Sequence, residues 1–241
     1  MAINGVDVSE WNDSLTAQEI KNAGYKVAIA RTSGTYRGKH RATAGALYTD
    51  TYFNKFYNRA KACGLYVGAY HYSTASTRAD GIAEREYMLK LLRGKQLEYP
   101  VFLDVEESTV TVNGCLGFLE TMENAGYYVG IYANYSYFTG VLKDSRLDRY
   151  LHWLAWWISK KPITSFGYGI WQNTSELYIN GKRCDGDISY NDYAEIIKTR
   201  GKNGYKKPDP PSQIQLKQGD VLTIDEIKGN IITLKIGGKN E

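Results

Sequence analysis

Cysteine is scarce in this chain, and the three present, Cys63, Cys115 and Cys184, stand far apart with no Cys-x-x-Cys spacing. An odd, scattered set argues against a disulfide framework and against a zinc site. The expected role is that of small buried hydrophobes. Histidine is equally sparse: His40 and His152 show no partner spacing, and His71 reads as a structural side chain hydrogen-bonded among strands. No run approaches the roughly 20 apolar residues needed to span a bilayer. The first residues, Met1-Ala-Ile-Asn-Gly-Val-Asp7, carry neither a basic nor an apolar leader segment, so no secretory signal is expected. The net charge of +4 gives weak attraction to anionic polymers but no dense basic patch of the kind nucleic-acid binders need.

What the chain does have is aromatic surface. Twenty-one tyrosines and five tryptophans exceed what a core requires, because each buried Tyr hydroxyl must find a partner. Such side chains suit carbohydrate, whose faces are apolar and whose edges are rings of hydroxyls. At 241 residues and 43% hydrophobic, the chain is long enough for one large core plus a small appendage.

Short strand patterns alternate with helical ones over most of the length. Strands are expected at Gly5–Ser9, Val27–Thr32, Tyr66–Tyr72, Val101–Glu106, Val129–Asn134, Trp153–Ile158, Gly169–Asn173 and Gly186–Ser189. Between the early ones lie amphipathic segments, and several end in a glycine suited to a helix C-terminus: Gly24, Gly64, Gly94 and Gly126. A faint repeat links Gly64-Leu-Tyr-Val-Gly-Ala-Tyr70 to Gly126-Tyr-Tyr-Val-Gly-Ile-Tyr132, each a helix stop feeding a buried strand. Repeated strand–helix units imply an α/β fold with a parallel sheet, here a small closed barrel whose last part is helix-poor. The expected barrel occupies residues 1–198. A Pro-, Gly- and Lys-rich linker follows over 199–213, and a small β-rich segment over 214–241. That last piece is too short for a core of its own, so it is expected to pack on the barrel, pair with another copy or be part of a larger module.

The sharpest chemical signal is Val101-Phe-Leu-Asp-Val-Glu106. Alternation sends Val101, Leu103 and Val105 toward helices and Phe102, Asp104 and Glu106 into the barrel. Carboxylates at the C-terminal end of a barrel strand occupy the usual catalytic position. Asp7 and Asp187, on the first and last strands, are expected beside each other at a similar height. Crowded carboxyls cannot all ionise, and a raised pKa is what a general acid requires. Tyr70, Tyr72, Tyr132, Trp153, Trp157 and Trp171 can be placed at or near the mouth as aromatic walls.

Taken in order, Gly5-Val-Asp-Val-Ser-Glu-Trp11, Gly68-Ala-Tyr-His-Tyr72, Phe102-Leu-Asp-Val-Glu106, Trp153-Leu-Ala-Trp-Trp157, Trp171-Gln172 and Gly186-Asp187 resemble the motifs of family 25 glycoside hydrolases. That is the lysozyme family of bacteriophage endolysins and bacterial autolysins, and the resemblance covers roughly residues 3–198. It implies a flattened TIM-like barrel, five β/α units followed by three strands. It also implies muramidase activity, cleavage of the β-1,4 bond between N-acetylmuramic acid and N-acetylglucosamine in bacterial peptidoglycan, with no cofactor or metal. Carried over by motif, Glu106 is the general acid/base, Asp104 its partner, and Asp7 and Asp187 complete an acidic floor. Tyr70, Tyr132 and Trp157, with Trp171 and Gln172, form the implied substrate-binding set.

This chain departs from the family pattern at Thr32-Ser-Gly-Thr-Tyr-Arg-Gly-Lys39, where many members carry an acid, and at Trp157, where Tyr is common. The tail, 214–241, faintly suggests part of a bacterial SH3-like barrel, and its two expected uses are wall targeting and self-association. A water, a carboxylate or the substrate's acetamido group remain alternative nucleophiles, and the resemblance leans to the last. Two rival readings are a non-catalytic wall-binding barrel and a hydrolase of another N-acetylhexosamine polymer such as chitin. The expected setting is a protein made in a host cytoplasm that reaches the wall on release through a membrane lesion, or as part of a virion.

Overall fold

Period-two alternation closes eight strands into a barrel. The computed structural model describes residues 2–36 and 45–208 in full and only the backbone of 221–228 and 231–237. The strands are β1 (Ile3–Val8), β2 (Val27–Thr35), β3 (Leu47–Thr49), β4 (Tyr66–Tyr72), β5 (Val101–Asp104), β6 (Val129–Asn134), β7 (Leu151–Ala155), β8 (Ile170–Ile179) and β9 (Lys182–Ser189). Parallel pairing runs β1-β2-β4-β5-β6-β7-β8, and β9 closes the ring between β8 and β1. The short β3 adds antiparallel to the far end of β2, Ser33 opposite Thr49. Helices α1 (Ala17–Asn22), α2 (Phe53–Ala62), α3 (Arg78–Leu92), α4 (Val112–Asn124) and α5 (Tyr135–Thr139) follow the first five barrel strands, and β7, β8 and β9 follow without one. This is the helix-poor (β/α)5(β)3 barrel expected from the sequence.

Local chemistry sets the helix ends. Thr16 and Glu19 form a reciprocal cap on α1, and Thr77 and Asp80 do so on α3, so orphan N–H groups are satisfied on the first turn. Gly24, Gly64, Gly94 and Gly126, singled out as helix stops, all have positive φ. Helices α3 and α4 pack so closely that a Cβ on Gly81 would lie 2.0 Å from the Gly114 carbonyl oxygen. Only glycine fits there.

Two apolar layers form the core. Val101, Leu103, Ile131, Val67 and Ala30 point outward against Phe56, Met88 and Phe118 of the helices. Inside the barrel, Phe102, Trp153, Ile29 and Ile170 stack, with Phe102 and Trp153 ring centroids 5.0 Å apart. A sixth helix, α6 (Tyr193–Arg200), plugs the bottom with Tyr193, Ala194 and Ile197. Cys115 and Cys184 are buried and Cys63 half-buried, all as free thiols. No helix of the described residues is long and apolar enough to cross a membrane.

Two expectations change. The closing strand runs antiparallel, because Asn180 and Gly181 make a two-residue hairpin with φ of 51° and 74°. Asn-Gly is the dipeptide that such a turn favours. The linker expected from residue 199 also begins later, because residues 199–208 belong to the barrel unit, Met1–Pro208. Asn203 is fully buried there: its amide donates to the Tyr99 carbonyl at 2.8 Å and its oxygen accepts from the Tyr128 N–H at 2.7 Å. Tyr205 reaches the Glu98 carboxylate alongside Lys61. In the second unit, β10 (Val221–Lys228) and β11 (Ile231–Gly237) pair antiparallel with a bulge between Ile224 and Glu226. The strand expected at 214–216, the rest of the linker from 209, and His40 lie outside the described residues.

Replacing Asn203 with Ala strands two buried backbone groups and should cost about 2–4 kcal/mol in urea unfolding. A change below about 0.5 kcal/mol, the range of ordinary surface substitutions, would return residues 199–208 to the status of a linker.

Candidate active site

Inward-facing positions at the C-terminal ends of the parallel strands supply Asp7 from β1, Arg31 from β2, Tyr70 and Tyr72 from β4, Asp104 from β5 and Tyr132 from β6. Glu106 follows two residues beyond the end of β5. Together they bound a cleft of about 460 Å³, rimmed by Trp11, and a recess of about 80 Å³ reaching Trp153. Trp11 is 82% exposed, an unusual position for an indole with no outside partner.

Gln172 of β8 organises this floor. Its amide nitrogen donates to Asp7 at 2.8 Å and to Asp185 at 3.3 Å. Its oxygen accepts the Tyr132 hydroxyl at 3.0 Å and the Trp157 indole N–H at 3.1 Å. One amide therefore ties two acids to two aromatic walls, and its orientation is fixed by four partners. Arg31, on the cleft wall, is already engaged, with Asp50 at 2.8 Å and Glu10 at 3.0 Å.

Burial governs the titration of the acids. Asp104, 5% exposed, has its pKa pushed well up, first by lost hydration and then by the charge of Glu106, against the pull of Arg31. Its Oδ1 atom is buried with no hydrogen-bond partner among the described residues. Asp7 is raised by burial and by the charges of Asp187 and Asp185, while its bond from Gln172 works the other way. Asp187 is pushed up to about 8, chiefly by burial, although Trp153 Nε1 donates to it at 2.7 Å. The second oxygen of Asp187, Oδ2, is buried with no hydrogen-bond partner among the described residues. Glu106 stands exposed at the mouth. Lost hydration there raises its pKa, the charges of Asp185 and Glu107 add to this, and a hydrogen bond from Tyr132 opposes it.

Asp7, Asp104, Glu106, Tyr70 and Tyr132 thus meet in one cleft, with Gln172 in its recess. Trp157 lies at the rim, 59% exposed and tethered to Gln172. Two of the residues singled out from sequence lie elsewhere. Asp187 is not level with Asp7: in the antiparallel register it faces Gly5, and Asp185 faces Asp7. Asp187 therefore sits a layer deeper and lines neither the cleft nor the recess. Trp171 is on the outer face of β8, buried, donating to the Trp156 carbonyl at 2.7 Å. Alternation with inward Gln172 required that.

The residues that sequence reasoning missed are Asp185, which shares a strand face with Asp187, and the wall residues Trp11 and Arg31. His71 faces the helices, fully buried, its Nδ1 2.8 Å from the Ser33 hydroxyl. Ser33 belongs to the segment where the family acid was absent, and here it supports that histidine rather than the cleft.

An acid-floored, aromatic-walled cleft on the C-terminal face of such a barrel defines a glycoside hydrolase. Residues 6–182 match the model of glycosyl hydrolases family 25, and the chain belongs to that family. It is 26% identical over 207 residues to the autolytic lysozyme of Clostridium acetobutylicum, an alignment covering 83% of this chain and 58% of that protein. The chain therefore spans little more than half of that relative. It is similar to the CTP1L endolysin, with 26% identity, a TM-score of 0.68, and 81% and 69% of the two chains covered. A family 25 glycosyl hydrolase from Bacillus anthracis shares the fold at 20% identity and a TM-score of 0.66, over 84% and 93% of the chains.

The raised Asp187 carries a pH signature. Its folded-state pKa near 8 lies above the ordinary 3.8, so its contribution to stability is complete below about pH 4 and lost as pH climbs through 8. Stability in urea should fall from pH 4 to pH 8, and fall less steeply in Asp187→Asn. An equal or steeper fall in the variant would contradict the burial of this acid.

Proposed function

We propose that this chain hydrolyses the β-1,4 bond between N-acetylmuramic acid and N-acetylglucosamine in bacterial peptidoglycan, with Glu106 as general acid and then base. One observation carries the reading. Glu106 is the acid that stands exposed at the cleft mouth with its pKa raised, above a floor of buried carboxyls. A carboxyl whose pKa is raised at that point is what protonation of a leaving glycosidic oxygen requires.

In this reading Glu106 transfers its proton to the glycosidic oxygen as the C–O bond breaks and positive charge grows at the anomeric carbon. The substrate's own acetamido oxygen closes on that carbon. Asp104 lies two residues deeper, with its unpartnered Oδ1 available to hold the acetamido N–H. Glu106, now ionised, takes a proton from water, whose oxygen opens the cyclic intermediate. Tyr70, Tyr132, Trp157 and Trp11 supply apolar surfaces for sugar faces. Similarity to an autolytic lysozyme and to an endolysin supports the wall substrate and a lytic setting.

Mass spectrometry of digested peptidoglycan should show N-acetylmuramic acid at the new reducing ends. N-acetylglucosamine at those ends, or no new ends, would overturn the proposal. Glu106→Gln should lower the rate of reducing-end release by roughly 10²–10⁴-fold with the fold intact. Near-normal release by that variant would remove Glu106 from the mechanism.

A further inference from the structure

Three inward carboxyls, Asp7, Asp185 and Asp187, line the seam where β9 meets β1. They are not equivalent. Asp7 and Asp187 are buried, and both pKa values are driven up chiefly by lost hydration. Asp185 is only half-buried; lost hydration raises its pKa as well, but the charge of Arg183, two residues away, opposes that rise. Asp185 is therefore the acid of the row best placed to carry a negative charge.

Its position gives that charge a use. Asp185 stands opposite Asp7 at the level of the cleft, and Gln172 Nε2 holds its carboxylate at 3.3 Å. It bounds both the cleft and the recess that Glu106 bounds from the opposite side of the barrel. The other groups facing Glu106 leave this charge uncancelled. From β2, Arg31 is committed to Glu10 and Asp50. From β4 and β6, Tyr70, Tyr72 and Tyr132 are neutral phenols, their pKa values all raised. From β3, Tyr48 is likewise raised. On the segment of Glu106 itself, Asp104 is buried with its pKa raised and Glu107 accepts the Tyr72 hydroxyl. From α5, Tyr137 touches only the Glu106 carbonyl, at 2.9 Å.

We propose that Asp185 is the electrostatic partner of Glu106: its carboxylate, fixed by Gln172 across the cleft, supplies the negative charge that keeps the Glu106 proton in place until the glycosidic oxygen takes it. The same charge faces the anomeric carbon as it becomes positive. Asp185 is thus a positioning residue that acts through Glu106, and the inference rests on Glu106 being the acid.

The pH–rate profile of reducing-end release from purified peptidoglycan separates this role from a structural one. In Asp185→Asn and in Asp185→Ser, the alkaline limb should move to lower pH by about half a unit to one unit, the size of one partly screened charge. Asp185→Glu, which keeps the charge, should restore the limb toward its original position. Circular dichroism checks that each variant is folded. An unmoved limb in the folded neutral variants would overturn the inference, as would equal shifts in all three. The Glu106 assignment is tested separately. An active Glu106→Gln protein defeats that assignment, whereas an inactive Glu106→Gln protein with an unmoved limb in Asp185→Asn defeats this inference alone.

Discussion

Burial of carboxyl groups in a mouth too narrow to hydrate them is the constraint from which the rest of the site follows. Asp7, Asp104 and Asp187 all have pKa values driven up chiefly by lost hydration, and the charges of neighbouring acids add to the rise. Ionising them all would place like charges together in a poorly screened space, so protons stay on the floor. Glu106, at the exposed end of the same cluster, also has a raised pKa, first from lost hydration and then from the charges of Asp185 and Glu107.

The barrel tolerates this floor because its frame is apolar and rigid. Phe102 and Trp153 fill the interior beneath the acids, and the Trp153 indole N–H turns upward to Asp187. Gly5 leaves room for Asp187, whose Cβ lies 3.6 Å from where a Gly5 side chain would begin. Gln172 then joins acids to aromatics, so Tyr132 and Trp157 on the walls are tied to Asp7 on the floor through one amide. A site of this kind needs its supporting partners as much as its reacting group.

Much of this was legible in the sequence, for physical reasons. Strand alternation correctly sent Asp104 and Phe102 inward and Leu103 outward, because one face of each strand must meet the helices. Glycine stops marked the helix ends, because only glycine enters the left-handed region freely. The errors came from one omission. Asn180-Gly181 is a hairpin signal, and without it the closing strand lacked a direction. With the direction wrong, Asp187 was set level with Asp7, and Asp185 was passed over. Trp171 was placed near the mouth although its neighbour Gln172 already held the inward position. The barrel's end at residue 208 was hidden because Gly, Lys and Asn read as a linker until Asn203 is seen to bond two backbone segments, 97–99 and 126–128.

The central claim is that lost hydration and the charges of Asp185 and Glu107 raise the pKa of Glu106 in the free enzyme. A ¹³C NMR titration of the Glu106 side-chain carboxyl, in the full chain labelled at glutamate and assigned with Glu106→Gln, measures this directly. The account predicts a midpoint above the ordinary glutamate value of 4.5. A midpoint at or below that value would contradict it.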